Sequence, residues 1–265
     1  MEQKKSDLTD RVIDLIDYEG DDQIVSWEEV RESIRQEGEV DSIKCHIPKL
    51  DRHLEGFQPG EVIAVSGPRK CGKTLLCQTM DRGFWKSGVK SLWLQYEVTP
   101  RQFVESFPDV INLDMSYTPL SMKAHVMKWA FDRIAEAIGK QGVSIVFIDH
   151  LHFLFEMGKM RNASLEIGTV IRHLKFIAIS LNITIFVLCH LRKTEEGKEP
   201  SDTDMRDSSL IASESDVGLL IWRTFEQTGN ATVKICYSRR TGVMDERVFL
   251  SKQSNGLLGE IDPHA

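Results

Sequence analysis

The chain has few of the features that mark secreted or membrane-bound proteins. It holds five cysteines among 265 residues, and no two of them form a Cys-x-x-Cys pair. Scattered cysteines indicate a reducing compartment, without a disulfide framework or a cysteine-based zinc site. No apolar run approaches the roughly 18–20 residues that span a bilayer, and the first residues lack the apolar core of a signal peptide. We therefore expect a cytoplasmic protein that binds no membrane.

Basic side chains are outnumbered by acidic ones, 33 to 40. A net charge of −7 argues against a broad surface that coats DNA. The acidic charge is concentrated, because residues 1–44 hold 14 acidic and 6 basic side chains, a net −8 that leaves the remainder near +1. A protein that grips nucleic acid only with a few central loops needs no basic exterior. Composition therefore leaves nucleic-acid binding open.

Residues 1–42 are predicted to form an acidic helical arm. An apolar stripe at helical spacing runs from Leu8 to Ile16, and a second helix opens at Ser26, which forms a capping box with Glu29. Two short helices with narrow apolar stripes have too little core to fold alone. The arm must therefore dock either on its own domain or on a neighbouring subunit, and the residues leave both possibilities open.

Residues 43–265 alternate strand and helix patterns, without internal repeats. Continuous apolar runs such as 145–148 are typical of strands buried on both faces of a parallel sheet, and the last two strands alternate more, as in an antiparallel edge hairpin. The prediction is a three-layer α/β domain with a mostly parallel central sheet, its ligand at the carboxyl ends of the strands. Predicted strands are 61–66, 90–96, 109–113, 143–148, 183–189, 216–222, 231–237 and 246–250; predicted helices are 73–86, 99–107, 119–139, 163–181 and 208–214.

The most specific pattern is G-x-x-x-x-G-K-T at residues 67–74, the phosphate-binding P-loop. Backbone N–H groups of such a loop point at phosphate oxygens, the lysine reaches the β- and γ-phosphates, and the threonine hydroxyl ligates Mg²⁺. A buried strand before the loop and a helix after it support the match. ATP and Mg²⁺ are the cofactors that this predicts. The expected binding residues are Gly67, Pro68, Arg69, Lys70, Cys71, Gly72, Lys73, Thr74 and Leu75.

Hydrolysis requires further groups, and strand ends offer candidates. Asp149 ends an apolar strand, where it can hold Mg²⁺ through water or simply start a turn. Glu97 ends another strand, where it can accept a proton from the attacking water or cap a helix. His190 ends a third, as a γ-phosphate sensor or as an ordinary hydrogen-bonded histidine. His150 and His152 are too weak a pair to assign to a metal.

Arg239 and Arg240 lie at the tip of the final predicted hairpin. They are either part of a solvated turn or an arginine finger. A guanidinium on an edge hairpin does not easily reach its own P-loop, but it can reach that of a neighbouring subunit. The second interpretation requires a ring or a filament.

These residues together resemble the RecA-fold motor domain of the DnaB-like hexameric replicative helicases. The similarity looks closest to the branch that holds the mitochondrial Twinkle helicase and bacteriophage primase–helicases. It extends over about residues 24–252 in order. The segments that carry it are Ile47–Asp51, the P-loop, Leu92-Trp93 with Tyr96-Glu97, Ile148–His152, Cys189–Lys193, Asp204–Ser209, Glu214–Asp216 and Arg239–Gly242.

The resemblance implies a homo-oligomeric ring, a hexamer in this family, that hydrolyses ATP at subunit interfaces and moves on single-stranded DNA in the 5′ to 3′ direction. Glu97 would polarise water and His190 would act as sensor. The trans finger would be Arg240 by the DnaB spacing or Arg239 by the phage spacing. The arm would pack on the adjacent subunit, and a primase, loader or polymerase would be a partner. The residues expected to contact DNA are Lys193, Arg206, Asp207 and Ser209.

This sequence departs from the family pattern in two places. Ser238 stands where the DnaB branch has a lysine, and Ser209 stands where the channel loop often has glycine. No primase or collar pattern precedes the motor. The alternative function is a DNA-dependent ATPase that does not unwind, such as a recombinase-like or strand-annealing filament protein.

Overall fold

The computed structural model describes residues 24–38, 40–106, 115–124, 127–154, 163–190, 200, 209–223 and 229–262. The chain divides into two compact units after Asp41. No helix among the described residues is long and apolar enough to cross a membrane. Lys193, Arg206 and Asp207, together with the first predicted arm helix and the strand predicted at 109–113, lie outside the described residues.

The first unit contains helix α1, Trp27–Glu37. The predicted capping box is confirmed, because Ser26 Oγ accepts a hydrogen bond from Glu29 N at 3.2 Å and Glu29 Oε2 accepts one from Ser26 N at 2.7 Å. These bonds satisfy N–H groups that the first helical turn leaves without partners. Trp27 and Ile34 are 84% and 59% exposed, so the helix presents apolar side chains to solvent.

The second unit is built on a nine-stranded sheet in the order β3-β2-β4-β5-β1-β6-β7-β8-β9. Strands β1 to β6 pair in parallel, whereas β6 to β9 pair in antiparallel fashion. The strands are β1 Val62–Gly67, β2 Lys90–Gln95, β3 Ser116–Tyr117, β4 Val143–Asp149, β5 Thr184–His190, β6 Val217–Trp222, β7 Asn230–Ser238, β8 Glu246–Lys252 and β9 Leu258–Glu260. The helices are α2 Pro48–Leu54, α3 Lys73–Lys86, α4 Pro100–Ser106, α5 Met127–Gln141, α6 Ala163–Ser180 and α7 Ser209–Glu214, with a 3-10 turn at Leu151–Leu154.

The central strands are buried on both faces, as the continuous apolar runs predict. In β4, Ile145 and Phe147 face the core that contains α3, while Val146 and Ile148 face the core that contains α5 and α6. This alternation follows from the two-residue period of a strand. The mixed α/β class with helices on both faces is therefore confirmed.

The predicted antiparallel hairpin is confirmed as β7 and β8, and the structure adds β9 as an edge strand beyond β8. Two other details of the predicted fold are wrong. The helix predicted from residue 119 begins only at Met127. Leu120 precedes the helix and is fully exposed, so it does not contribute to the apolar face of the helix. Helix α2 is missing from the prediction; Pro48 at its start suits the first turn of a helix.

Helix α3 is fixed to the sheet and to the preceding chain by close contacts. A Cβ on Gly83 would collide with the carbonyl oxygen of Cys45, so only glycine permits this approach. Asp81 accepts hydrogen bonds from Trp93 Nε1 at 2.8 Å and from Ser116 Oγ at 2.9 Å. These contacts hold the helix that follows the P-loop against β2 and β3.

Candidate nucleotide-binding and hydrolysis site

The P-loop connects β1 to α3, as its sequence predicts. Gly72 adopts a φ of 104°, a conformation that favours glycine, and its carbonyl accepts the hydrogen bond from Leu76 N at 2.9 Å that opens the helix. Lys73 Nζ donates to the carbonyl oxygens of Gly67 at 3.0 Å and Pro68 at 2.8 Å. The P-loop therefore holds the ammonium group of Lys73 at the N-terminal end of α3, where the helix dipole also attracts an anion.

The sheet order explains why the predicted acids meet the P-loop. Strands β2, β4, β5 and β1 are consecutive neighbours in the sheet and run parallel, so their carboxyl ends lie at one edge. In register, Gly67 pairs with His190 and Gln95 pairs with Asp149. Side chains separated by long stretches of chain thus converge on the loop.

A cavity of about 430 Å³ lies at this edge. Of the predicted residues, Lys73, Thr74, Glu97, Asp149 and His190 line it, together with Lys70, Gly72 and Leu75 of the loop. Arg239 and Arg240 are not among the residues that line it. One cavity therefore joins the phosphate-binding loop to the candidate hydrolytic groups.

Thr74 and Asp149 form the candidate Mg²⁺ site. Thr74 Oγ1 donates a hydrogen bond to Asp149 Oδ2 at 2.8 Å, and Gln95 Nε2 donates to the same oxygen at 3.2 Å. Burial raises the pKa of Asp149, and the nearby Glu97 raises it further, while the Thr74 and Gln95 hydrogen bonds lower it. A hydroxyl and a carboxylate at this separation fit the oxygen ligands that Mg²⁺ prefers.

Glu97 lies between two histidines. Its Oε1 is 3.0 Å from His190 Nε2 and 3.2 Å from His150 Nε2, and the two imidazole rings meet edge to face with centroids 4.5 Å apart. Gln95 Oε1 accepts a hydrogen bond from Glu97 N at 2.9 Å, which orients the backbone after β2. Burial lowers the pKa of His150 to about 4, and the neighbouring His190 contributes to the lowering. This arrangement places the candidate base and the candidate sensor in direct contact.

Sequence reasoning missed several residues of the cavity. Arg223 follows β6 and donates from Nε to the carbonyl oxygen of Cys71 at 3.1 Å, which places a guanidinium on the P-loop. Lys252, at the end of β8, and Gln78 also line the cavity. Arg223 directly follows a buried strand, so its position could have been predicted in the same way as that of Asp149. The position of Lys252 could not, because Lys252 ends an antiparallel strand.

The two arginines of the β7–β8 turn differ in their contacts. Arg240 donates from Nε to Glu61 Oε1 at 2.8 Å, and from Nη2 to the carbonyl oxygens of Leu54 and Gly56 at 2.7 Å each. Arg239 is exposed and donates to the carbonyl oxygen of Ser213. The guanidinium of Arg240 is thus occupied within its own chain.

A family model described as "DnaB-like helicase C terminal domain" matches residues 102–264. The chain is similar to the replicative DNA helicase DnaB of Pasteurella multocida, with 23% identity over 258 residues that cover 84% of this chain and 53% of that protein. It is also similar to a probable plasmid replicative DNA helicase of Chlamydia psittaci, with 34% identity over 224 residues that cover 73% of this chain and 49% of that protein. The chain thus spans about half the length of these relatives.

Solved structures support the same fold. One of them, described as an ATPase domain, superposes with a TM-score of 0.77 at 16% identity, and the match covers 91% of this chain and 100% of that one. A DnaB-like replicative helicase, described together with its interactions with primase, superposes with a TM-score of 0.72 at 17% identity, and the match covers 97% and 72%. These likenesses confirm the RecA-like architecture, while the closer resemblance to the Twinkle and phage branch stays a prediction.

Proposed function

This chain belongs to the family of DnaB-like helicase C-terminal domains, and we propose that it is an ATP-driven motor that moves on single-stranded DNA and separates the duplex. The observation that carries the proposal is the single cavity lined by Lys73, Thr74, Asp149 and Glu97. This set supplies phosphate binding, a cation site and a carboxylate for the attacking water, which together are the parts that phosphoryl transfer requires.

Lys73, Thr74, Asp149 and Glu97 each have a defined role in the proposed hydrolysis. Lys73 and the N–H groups of the P-loop bind the β- and γ-phosphates. Thr74 and Asp149 would hold Mg²⁺, the latter through water, and the ion would neutralise charge that develops on the phosphate oxygens. Glu97 orients the attacking water and accepts its proton. The backbone hydrogen bond from Glu97 to Gln95 keeps that carboxylate at the mouth of the cavity.

His190 is the proposed link between nucleotide and DNA. Its Nε2 lies 3.0 Å from the carboxylate of Glu97, so a shift of either side chain displaces the other. The segment that follows β5 includes Lys193, a predicted DNA contact, and the family resemblance assigns DNA contacts to Arg206, Asp207 and Ser209. Of these, only Ser209 lies within the described residues, as the first residue of α7. These four residues remain proposed DNA contacts.

We further propose that hydrolysis occurs between subunits of a ring, a hexamer by family resemblance. Arg239 is the better candidate for the finger, because its side chain is exposed whereas that of Arg240 is bound to Glu61 and two carbonyls. The exposed Trp27 and Ile34 support an arm, residues 1–42, that packs on another subunit. A primase, loader or polymerase in the cytoplasm is the proposed partner.

The test uses a forked DNA with a single 5′ tail. Wild-type protein should displace the strand in the presence of ATP and Mg²⁺, and Glu97→Gln should abolish hydrolysis while ATP binding stays intact. Arg101→Gln is a matched control, since it neutralises an exposed side chain that forms an ion pair with Glu105. Wild-type hydrolysis stimulated by single-stranded DNA without strand displacement would favour the non-unwinding ATPase instead. Unchanged hydrolysis in Glu97→Gln would refute the role of Glu97.

A further inference from the structure

Three side chains at the mouth of the cavity form a group that nucleotide hydrolysis uses only in part. Glu97, His150 and His190 each offer one ligand atom, and these atoms all lie within 4.8 Å of one another. In the sequence His150 stands close to His152, and in the structure its ring contacts both His152 and His190 of β5. The three residues come from the ends of three neighbouring strands, β2, β4 and β5.

The two distances from Glu97 to the histidines are close to the edges of a zinc coordination sphere, and all three ligand atoms lie within 4.8 Å of one another. Tetrahedral ligands about 2.1 Å from a metal ion lie about 3.4 Å from each other. Glu97 Oε1 is 3.2 Å from His150 Nε2 and 3.0 Å from His190 Nε2. Small adjustments of these side chains would therefore seat an ion between them.

The donor set selects the kind of ion. Two imidazole nitrogens and one carboxylate suit Zn²⁺, Co²⁺ or Fe²⁺, whereas Mg²⁺ prefers oxygen ligands. Within the described part of the chain, the Nδ1 atoms of both histidines are buried without a hydrogen-bond partner, whereas both Nε2 atoms lie beside the Glu97 carboxylate, so Nε2 is the nitrogen of each ring that is placed to bind an ion. The side chains of Glu97, His150 and His190 are 37%, 12% and 22% exposed, which gives an ion access and leaves a position for water.

We propose that Glu97, His150 and His190 bind a divalent transition-metal ion of the Zn²⁺ type, and that its binding inhibits the motor. The inhibition follows because the ion occupies the carboxylate that would polarise the attacking water. Binding rests on the three side chains alone, whereas inhibition rests on the proposed hydrolytic function. The two parts can therefore be tested separately.

Binding is measured without nucleotide, on the full chain carrying no histidine tag. Co²⁺ is the probe, because nitrogen ligation in a tetrahedral site gives visible absorption bands, and Zn²⁺ should remove these bands by displacement. All five cysteines are buried, which limits competing thiolate sites. One equivalent of Co²⁺ bound with such bands supports the proposal. Absorption no stronger than that of hexa-aquo Co²⁺ would overturn it.

Variants locate the site. His150→Ala and His190→Ala should each weaken Co²⁺ binding by about 100-fold or more, since even outer partners of a metal site contribute about 10–100-fold. His173→Ala is the matched control, because this histidine is exposed on α6 and lies outside the group of three. Equal binding by His150→Ala and wild type would refute the assignment, and circular dichroism establishes that each variant is folded.

Inhibition is measured as ATP hydrolysis at saturating Mg²⁺ with increasing Zn²⁺. Wild type and His173→Ala should lose activity at the same Zn²⁺ concentration, and His150→Ala should require at least about tenfold more to lose whatever activity it retains. Co²⁺ binding without any ATP hydrolysis by wild type would leave the metal site standing and contradict the proposed function. Hydrolysis that is unaffected by Zn²⁺ at concentrations that fill the site would refute the inhibition.

Discussion

Replacing Arg240 should destabilise the folded protein, whereas replacing Arg239 should impair only the proposed motor activity. The guanidinium of Arg240 donates to Leu54, Gly56 and Glu61 and is only 24% exposed. Arg240→Ala removes three charge-assisted hydrogen bonds at once and leaves the Glu61 carboxylate without its cation. Glu61 is only 7% exposed, so water cannot solvate its carboxylate in place of the lost guanidinium.

The magnitude follows from these contacts. Hydrogen bonds to charged groups contribute about 1.5–3 kcal/mol each, without adding fully, and breaking a buried ion pair costs about 3–5 kcal/mol. Because Arg240 retains some solvent contact, we expect a loss of about 3 kcal/mol in the free energy of unfolding. For a domain of this size, that corresponds to a fall in Tm of about 6–12 °C. Arg239→Ala, at an exposed position, should change stability by less than about 0.5 kcal/mol.

The assay compares urea unfolding midpoints with ATP hydrolysis for both variants. Arg240→Ala should shift the midpoint, while Arg239→Ala should keep it and lose hydrolysis stimulated by single-stranded DNA. The unfolding midpoint of Arg240→Lys should lie between those of wild type and Arg240→Ala, because a lysine lacks the rigid planar fork with which the guanidinium reaches three acceptors. A stable Arg240→Ala that lacks hydrolysis, beside an active Arg239→Ala, would reverse the assignment of the finger.

Three further predictions concern the domain core and the cavity. Gly83→Ala should cost more than about 3 kcal/mol in urea unfolding, because the new methyl group meets the carbonyl of Cys45, whereas Gly139→Ala, with open space around it, should gain about 0.5–1 kcal/mol. Burial raises the pKa of Asp81, so the native state binds this proton more tightly than the unfolded state does, and wild type loses stability as pH rises from about 4. The free energy of unfolding of Asp81→Asn should therefore increase relative to that of wild type over this rise in pH. Arg223→Ala should weaken binding of a fluorescent ATP analogue by about tenfold, which corresponds to about 1.4 kcal/mol.

Each of these has an outcome that would contradict it. Equal stability of the Gly83→Ala and Gly139→Ala proteins would mean that the approach of Cys45 to α3 is not close. A constant difference between Asp81→Asn and wild type from about pH 4 to 8 would exclude titration of this carboxyl group within the range. Unchanged nucleotide affinity in Arg223→Ala would remove this guanidinium from the site.

The fold followed from the sequence wherever burial is continuous. Strands such as β1 and β4 are apolar almost throughout, and a strand of that kind needs both faces covered, so the parallel sheet and its helices were predictable. Short elements gave no such pattern. The edge strand Leu258–Glu260 has only three residues, and its place is set by pairing with β8.

The candidate site was predictable residue by residue but not as an arrangement. Asp149, Glu97 and His190 were found because each ends a buried strand. The contact of Glu97 with His190, 93 residues away, depends on the order of the strands in the sheet, which spacing does not reveal. The ion pair between Arg240 and Glu61 could not be predicted for the same reason, since 179 residues separate the two side chains.

Strand β1 has a consequence for how the protein is made. It lies between β5 and β6, and Val62 N donates its hydrogen bond to Asp216 Oδ2, 154 residues later. Helix α3, by contrast, already contacts Cys45, Trp93 and Ser116, and it gains a further contact when Leu258 N donates to Thr79 Oγ1, 179 residues on. During synthesis, the strand before the P-loop is therefore paired on both sides only after β6 has left the ribosome. Such long-range pairing is slow and leaves apolar strands uncovered in the meantime, so nascent chains of this protein should depend strongly on chaperones.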